Sequence, residues 1–256
     1  MTHTYQTPAF LVEHLGAGLA TTDISTTNAT VADRGVEKLI DYRTAAPLEF
    51  STSAANHDIE LDFGVATSIG AMFIPPTHNL GTTTVEVFSG ASSPAATSEG
   101  TKAATDGASF EFDWTPASAR YWRIAFNATG AWQIPELVLA SQIRTVVRGP
   151  DFRWETPVRS PINVAEFPGF ESSLVLAAAR RRWIMTQSHM ADAGDLAIWD
   201  ALQALGRARP FVVLPPDDSY TWTWVRLESD FSYRQDFAAP MQALRYTAEA
   251  ELVEQL

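Results

Sequence analysis

Alternation of apolar and polar residues runs through the first half of the chain and leaves it few folds to adopt. The alternation occurs at residues 58–63, 83–89, 109–114 and 120–126. A period of two places the apolar side chains on one face of an extended strand, so each segment is typical of a half-buried β-strand. Clusters of Gly, Pro, Ser, Asn and Thr between the segments predict turns rather than helices. We therefore expect an antiparallel β-sandwich here.

The second half combines predicted strands with one strong helix signal. Leu196, Trp199, Leu202 and Leu205 recur every three residues, with acidic residues near the start of this stretch and a glycine after its end. This pattern predicts an α-helix over residues 191–205 that packs on a sheet through its Leu/Trp stripe. Strands of that sheet are predicted around Arg181, Phe211, Trp222 and Tyr246.

Cation usage divides the chain into the same two parts. Both lysines, Lys38 and Lys102, lie in the first half, whereas every Lys or Arg of the second half is Arg. Because 256 residues are more than one domain usually needs, we predict two domains, 1–142 and 143–256. The predicted fold class is mainly β: an N-terminal antiparallel jelly-roll sandwich and a C-terminal β-sheet module with one packed α-helix.

Charge and composition exclude several classes of protein. The chain carries a net charge of −12, whereas proteins that bind nucleic acids usually present a positively charged surface, so we expect no nucleic-acid partner. The absence of cysteine excludes disulfides, thiolate metal sites and cysteine nucleophiles. No apolar run reaches membrane-spanning length and no secretory signal is visible, so we expect a soluble protein made in a cytoplasm, without a membrane span.

No catalytic signature is recognisable. The five histidines are scattered without metal-ligand spacing, and neither a nucleophile elbow nor a P-loop occurs. Asp58, Glu60 and Asp62 fall on one face of a predicted strand, which we interpret as a solvent-facing edge rather than a cation site. We therefore predict that the protein is not an enzyme.

Five segments of the first half follow one another in the order found in a known family. They are residues 31–43, 48–51, 59–64, 78–80 and 132–139. This succession resembles the discoidin-like (coagulation factor 5/8 C-type, galactose-binding-like) domain, in the version with a His-Asn-Leu turn found in bacteriophage virion proteins. The resemblance implies a jelly roll over residues 1–142. It also makes Asp41 a candidate ligand of a structural Ca²⁺, and no other cofactor is predicted.

A second resemblance covers the C-terminal half. It rests on residues 181–187, the helix ending at 199–205, the strand at 210–214, the turn at 215–218 and a terminal strand to 252. This order is similar to the C-terminal module of siphophage distal tail and related tail-tip proteins. It implies a homo-oligomeric ring at the end of the tail tube, with a hexamer as one candidate, tube and hub proteins as partners, and a location in the virion tail tip.

These resemblances give two hypotheses about function. The first is a structural virion protein of a phage tail tip that carries a peripheral carbohydrate-binding-like domain. The alternative is an adhesion protein that binds a glycan on the host surface. A glycoside-processing enzyme is a third class, but an acid/base pair for it is not identifiable.

The candidate glycan contacts are Trp132, His78 and Asn79. An aromatic platform beside polar groups in a loop is what a sugar site requires, and Trp132 follows Gly130 in a predicted loop. Core packing is the alternative for this tryptophan.

The candidate oligomer contacts are Arg180, Arg182, Trp222 and Trp224. Strand alternation places Trp222 and Trp224 on one face, against either the helix stripe or a neighbouring subunit. Arg180 and Arg182 share a face in the same way, and they either begin a solvated strand or meet acidic groups of another subunit.

Overall fold

The fold class is the one that the sequence predicts. The computed structural model describes residues 8–27, 31–33, 35–42, 47–50, 57–105, 107–127, 131–146, 151–155, 162–167, 170–175, 182–190, 193–215, 221–231, 234–236 and 245–254. Within these ranges the chain is mainly β, its paired strands are antiparallel, and one α-helix is present. The mainly β, antiparallel jelly-roll prediction is confirmed.

The strands, in chain order, are β1 (Ala9–Leu11), β2 (Ile24–Thr27), β3 (Val31–Asp33), β4 (Leu48–Phe50), β5 (His57–Ile74), β6 (Thr84–Gly90), β7 (Thr97–Ala103), β8 (Phe110–Phe126), β9 (Trp132–Ile134), β10 (Val138–Ala140), β11 (Arg144–Thr145), β12 (Asp151–Glu155), β13 (Ile162–Phe167), β14 (Phe170–Val175), β15 (Arg182–Met190), β16 (Phe211–Leu214), β17 (Thr223–Leu227), β18 (Arg234–Asp236) and β19 (Arg245–Glu254). The helix is α1 (Ala193–Leu205), and short 3₁₀ turns occupy Leu15–Gly18, Thr21–Asp23 and Val36–Leu39.

Two facing sheets make the sandwich. The larger sheet has the order β10-β5-β8-β6-β7, with β2 beside β5, and the smaller has the order β3-β4-β9. Their inner faces share one apolar core, in which Leu48 and Phe50 of β4 meet Ile59 and Leu61 of β5. Alternate residues of β5 and β6 are buried in this core, as the period-two pattern requires.

The central strands β5 and β8 are longer than their sequence patterns indicate. The two segments predicted at 109–114 and 120–126 are one strand, because residues 114–116 bulge out between the paired residues Asp113 and Ala117. Pro116, which has no N–H to donate, lies in this bulge. Gly70 lies opposite, and a Cβ there would come within 2.7 Å of the Pro116 side chain.

The second half builds its own sheet around α1. The order is β11-β1-β16-β17-β19-β15-β12, with β18 beside β19. One face packs against the helix, which buries Trp199 and Leu202 as predicted and also Ile198, which was not part of the predicted stripe. The buried stripe is rotated slightly, because Asp195 is buried at its start and Leu196 lies at its partly exposed border. The helix begins at Ala193, and residues 191 and 192 of the predicted range lie outside the described residues.

The opposite face of this sheet packs against the sandwich. Leu11, Val212 and Trp224 meet Phe73 and Val138 of the larger sandwich sheet in a third apolar cluster. In each of β1, β16 and β17, the neighbouring residues point to the helix instead. The two halves therefore share a packed interface.

The first strand crosses the predicted domain boundary. Strand β1, from the N-terminal half by sequence, pairs with β11 and β16 in the sheet of the C-terminal half. The division into 1–142 and 143–256 stays a prediction, and a fragment cut at that boundary would lose β1 from the second sheet. Among the described residues, no helix has both the length and the hydropathy needed to cross a membrane.

Candidate functional site

A cleft of about 410 Å³ opens where the sandwich meets the second sheet. Its volume lies in the ordinary range of small-ligand sites. The sandwich contributes the end of β7, the start of β8 and the connection between them, and the second sheet contributes the end of β16 and the entry to β17. The lining residues are Lys102, Ala103, Thr105, Ala108, Ser109, Phe110, Glu111, Leu214, Thr221 and Trp222.

A charged pair forms the polar wall of the cleft. The Lys102 Nζ donates to Glu111 Oε1 at 3.0 Å and also to the Glu111 backbone carbonyl. The two side chains remain 41% and 34% exposed, so their polar atoms are accessible to a ligand. The Lys102 ammonium also lies 5.9 Å from the centre of the Phe110 ring.

An aromatic residue from the other half forms the apolar wall. Trp222 is half-buried and packs on the cluster between the two halves. Two residues later, Trp224 is 3% exposed and stacks between Tyr42 and Phe73, with ring centres 6.4 and 6.3 Å away. The Thr223 hydroxyl donates to the Thr221 carbonyl at 2.9 Å. These contacts anchor the entry to β17 and thereby position Trp222 beside the charged pair.

Trp132 does not lie in a loop, and that part of the prediction is wrong. It begins β9, is 4% exposed and packs in the sandwich core, stacked on Phe50 with ring centres 4.0 Å apart. Phe126 and His57 cover it further. Burial of both faces leaves no open ring on which a sugar could stack, so the core-packing alternative describes this residue.

His78 and Asn79 act in the structure as turn residues. His78 is buried, and its Nδ1 accepts a hydrogen bond from the Leu80 N–H at 3.3 Å. Asn79 is exposed, but its Oδ1 accepts from the Gln133 N–H at 2.6 Å and ties the turn to β9. Contact of Asn79 with a glycan stays a prediction.

Asp41 lies beside a cation of the chain itself. Its Oδ2 accepts a hydrogen bond from Lys38 Nζ at 3.0 Å. Calcium needs six to eight oxygen ligands, and a neighbouring ammonium competes for the carboxylate. No group of three or more His, Asp or Glu side chains in the described part of the chain could hold a metal ion.

The carboxylates of β5 are engaged by the chain's own polar groups. Asp58 pairs with Arg123 at 3.0 Å, and Glu60 accepts from the Ala95 N–H at 2.8 Å. Asp62 accepts from two nitrogens of Arg120 at 2.7 Å each. This agrees with the interpretation that the strand face is not a cation site.

We expect the pKa of Asp62 to show whether its bidentate ion pair with Arg120 persists in solution. Hydrogen bonds from Arg120 and from the Gly64 N–H lower this pKa from 3.8 to about 2. The pair therefore stabilises the fold above pH 3.8, and its contribution is lost as the pH falls through about 2. In Arg120→Gln, the pKa of Asp62 should rise toward 3.8 in a carboxyl ¹³C NMR titration. An unchanged pKa would mean that the pair does not persist in solution.

The predicted oligomer contacts have different locations. Trp224 is buried in the core, as the core-packing interpretation of this residue requires, but it faces the sandwich rather than the helix stripe, and its placement at a subunit interface is wrong. Trp222 is partly buried by the same cluster, and its contact with another subunit stays a prediction. Arg182 begins β15, whereas Arg180 lies outside the described residues.

A buried polar cluster lies near the same junction. The His14 Nε2 is 2.8 Å from Glu136 Oε1, and the Tyr42 N–H donates to the same oxygen at 3.2 Å. Tyr42 has a positive φ of 62°, a conformation disfavoured for a residue with a bulky side chain. Burial lowers the pKa of His14 to about 3 and raises the pKa of Tyr42. The cluster ties the segment after β1 to the sandwich.

Sequence reasoning did not assign Lys102 and Glu111 to a site. The available signal was the scarcity of lysine, since Lys102 is one of only two in the chain. Its pairing with a carboxylate nine residues later depends on how the connection between β7 and β8 folds back. The facing tryptophan is more than 100 residues away in sequence and meets the pair only through packing of the two halves.

Among known proteins, similarity was found to solved structures only. No family model matches the sequence, and no curated protein matches it. Chitosan-binding module 1 of a chitosanase/glucanase from Paenibacillus sp. IK-5 is 12% identical, with a TM-score of 0.42, and covers 50% of this chain and 98% of its own. The CpGH89CBM32-5 module of Clostridium perfringens, in complex with GalNAc-β-1,3-galactose, is 14% identical, with a TM-score of 0.41, over 50% and 99%.

The C-terminal domain of a chitobiase from Bacteroides fragilis is 19% identical, with a TM-score of 0.40, and covers 50% of this chain and 98% of its own. Likenesses at this level do not identify which residues of this chain bind a ligand.

Proposed function

We propose that this chain is a glycan-binding protein and that the cleft between its two halves is the binding site. One observation carries the proposal: Trp222 lines the same cleft as the Lys102–Glu111 pair and the hydroxyls of Ser109 and Thr221. An aromatic ring packs on the apolar face of a sugar, while charged and hydroxyl groups bind its hydroxyls. This is the alternative that the sequence left beside a tail-tip role.

Binding without turnover fits the lining of the cleft. Hydrolysis of a glycosidic bond ordinarily uses two carboxyl groups that flank the bond. Among the described residues lining this cleft, Glu111 is the sole carboxylate. The proposal concerns recognition of a glycan and includes no hydrolytic step.

The ring, its tube and hub partners, and a place in the virion tail tip stay predictions drawn from the sequence resemblance. They are compatible with glycan binding, because a tail-tip protein with a site for a host-surface sugar would perform both roles.

Replacement of the aromatic wall tests the proposed site. We expect Trp222→Leu to weaken glycan binding about tenfold or more, equivalent to about 1.4 kcal/mol, because leucine keeps apolar packing but removes the flat ring. The measurement is titration of the full chain with a glycan selected from an array. Tyr121→Leu is the matched control, since Tyr121 is also half-buried but lies outside the cleft. Equal affinity of Trp222→Leu and the unaltered chain would place the site elsewhere.

A further inference from the structure

The charged pair in the cleft offers a donor and an acceptor side by side. The Lys102 ammonium has three N–H groups, of which two point to Glu111 Oε1 and to the Glu111 carbonyl. One N–H is left for a ligand. The second carboxylate oxygen of Glu111 has no hydrogen bond within the described residues. A ligand in the cleft therefore meets one free donor next to one free acceptor.

We infer that the cleft selects a pyranose without acidic groups by clamping two neighbouring hydroxyls between Lys102 and Glu111; this inference rests on the proposed function. One hydroxyl accepts from Lys102 Nζ, and the adjacent hydroxyl donates to the Glu111 carboxylate. Lys102 Nζ is 3.0 Å from Glu111 Oε1, and the unbonded Oε2 belongs to the same carboxylate. Neighbouring gauche hydroxyl oxygens on a pyranose ring are also roughly one hydrogen-bond length apart, so they can reach the ammonium and the carboxylate at the same time. Neighbouring hydroxyls that are both axial point apart and do not match this spacing.

Electrostatics restricts the sugar class further. Within the described lining, Lys102 is the only cation, and Glu111 already neutralises it. The whole chain carries a net charge of −12. A carboxylated or sulfated sugar would bring an anion to a carboxylate without an unpaired cation to receive it, and such like-charge contacts disfavour a ligand.

The geometry also assigns separate roles to the two walls. Trp222 supplies an apolar surface that accepts many sugars, because most pyranoses have an apolar face. The Lys102–Glu111 pair supplies directional bonds, whose loss leaves charged groups unsatisfied and therefore discriminates strongly. Discrimination among sugars should thus reside in Lys102 and Glu111 rather than in Trp222.

The test is an NMR titration of the ¹⁵N-labelled full chain, read at the Trp222 indole and at backbone amides around the cleft. The probes are methyl glycosides of galactose, glucose and mannose, then galacturonic acid and galactose 6-sulfate. For the best neutral glycoside, monodeoxy analogues are compared at each ring position. We expect deoxygenation at two adjacent positions to weaken binding about tenfold each, and the acidic sugars to bind at least about tenfold more weakly than the neutral parent.

Two variants connect the selectivity to the pair. Glu111→Ala should weaken binding of the neutral glycoside about tenfold and reduce its preference over galacturonic acid. Asp62→Asn is the matched control, because Asp62 and Arg120 form an ion pair of similar exposure, 30% and 45%, outside the cleft. This control should leave the affinity unchanged.

The outcomes separate the two levels of the proposal. Failure of every neutral and acidic sugar to shift the cleft resonances, together with a blank glycan array, would overturn glycan binding itself. Binding in which acidic sugars equal or exceed the neutral ones, in which the sensitive hydroxyls are not neighbours, or which Glu111→Ala leaves intact would overturn the diol clamp and leave glycan binding standing.

Discussion

Replacing Trp199 by alanine is expected to lower the free energy of unfolding by about 3 to 5 kcal/mol. The side chain is fully buried between α1 and the second sheet, so its removal loses apolar contact area and leaves a cavity. Its Nε1–H also donates to Gln187 Oε1 at 2.7 Å, and Gln187 Nε2 donates to Asp195 Oδ2 at 2.8 Å. The variant therefore loses packing and opens a buried polar network at the same time.

Urea unfolding of the full chain measures this loss. Trp199→Phe is the informative comparison, because phenylalanine retains much of the ring volume but cannot donate to Gln187. We expect Trp199→Phe to lose less stability than Trp199→Ala, and the difference between them to report the packing contribution. If Trp199→Ala left the unfolding midpoint unchanged, the helix would not be held on the sheet through this residue.

The helix and its sheet could be predicted because their signals are local. The three-residue recurrence from Leu196 to Leu205 is visible within about three turns, and α1 buries Trp199 and Leu202 as expected. Burial of Asp195 was not predictable by the same reasoning. An acidic residue in a first helical turn ordinarily favours solvent and the helix dipole, whereas here Gln187 of β15, which is distant from the local helix pattern, donates to the buried Asp195 carboxylate.

The cleft and the junction could not be predicted because they depend on contacts between distant parts of the chain. Alternation correctly placed Trp222 and Trp224 on one face, but it could not say which surface covers that face. The structure places the sandwich there, through Phe73. Trp132 is a second case. Its position shortly after a glycine suggested an exposed loop, but pairing of β9 with β4 buries its side chain.

Burial of the His14 imidazole lowers the stability of the folded chain only when the pH is low enough for a histidine to take up a proton. Its side chain is 3% exposed, its Nε2 faces Glu136, and its Nδ1 has no hydrogen-bond partner in the described part of the structure. Protonation would add an N–H at Nδ1, which has no acceptor within hydrogen-bond distance among the residues that the structure describes. Glu136 and Tyr42 face this imidazole, and Arg209 acts on Tyr42 through its charge. Glu13 and Arg144 form an ion pair of their own at the same junction, 2.7 Å apart.

We expect acid to destabilise the folded chain through His14. Because burial lowers the pKa of this side chain from 6.5 to about 3, the unfolded chain binds a proton before the folded chain does. Stability is thus unaffected by His14 above pH 6.5, falls as the pH drops below 6.5, and levels off near pH 3. At pH 4.5 the loss from this residue is about 3 kcal/mol, at 1.36 kcal/mol for each pH unit below 6.5.

Urea unfolding at pH 7 and at pH 4.5 isolates this contribution when His14→Gln is measured beside the unaltered chain. Glutamine remains neutral and can still donate to Glu136, so the variant should lose about 3 kcal/mol less between the two pH values. A constant loss of packing in the variant cancels, because each protein is compared with itself. Equal losses in both proteins would mean that Glu136 stabilises the imidazolium enough to offset its burial, and that the junction between the two halves holds a charged pair rather than a neutral imidazole.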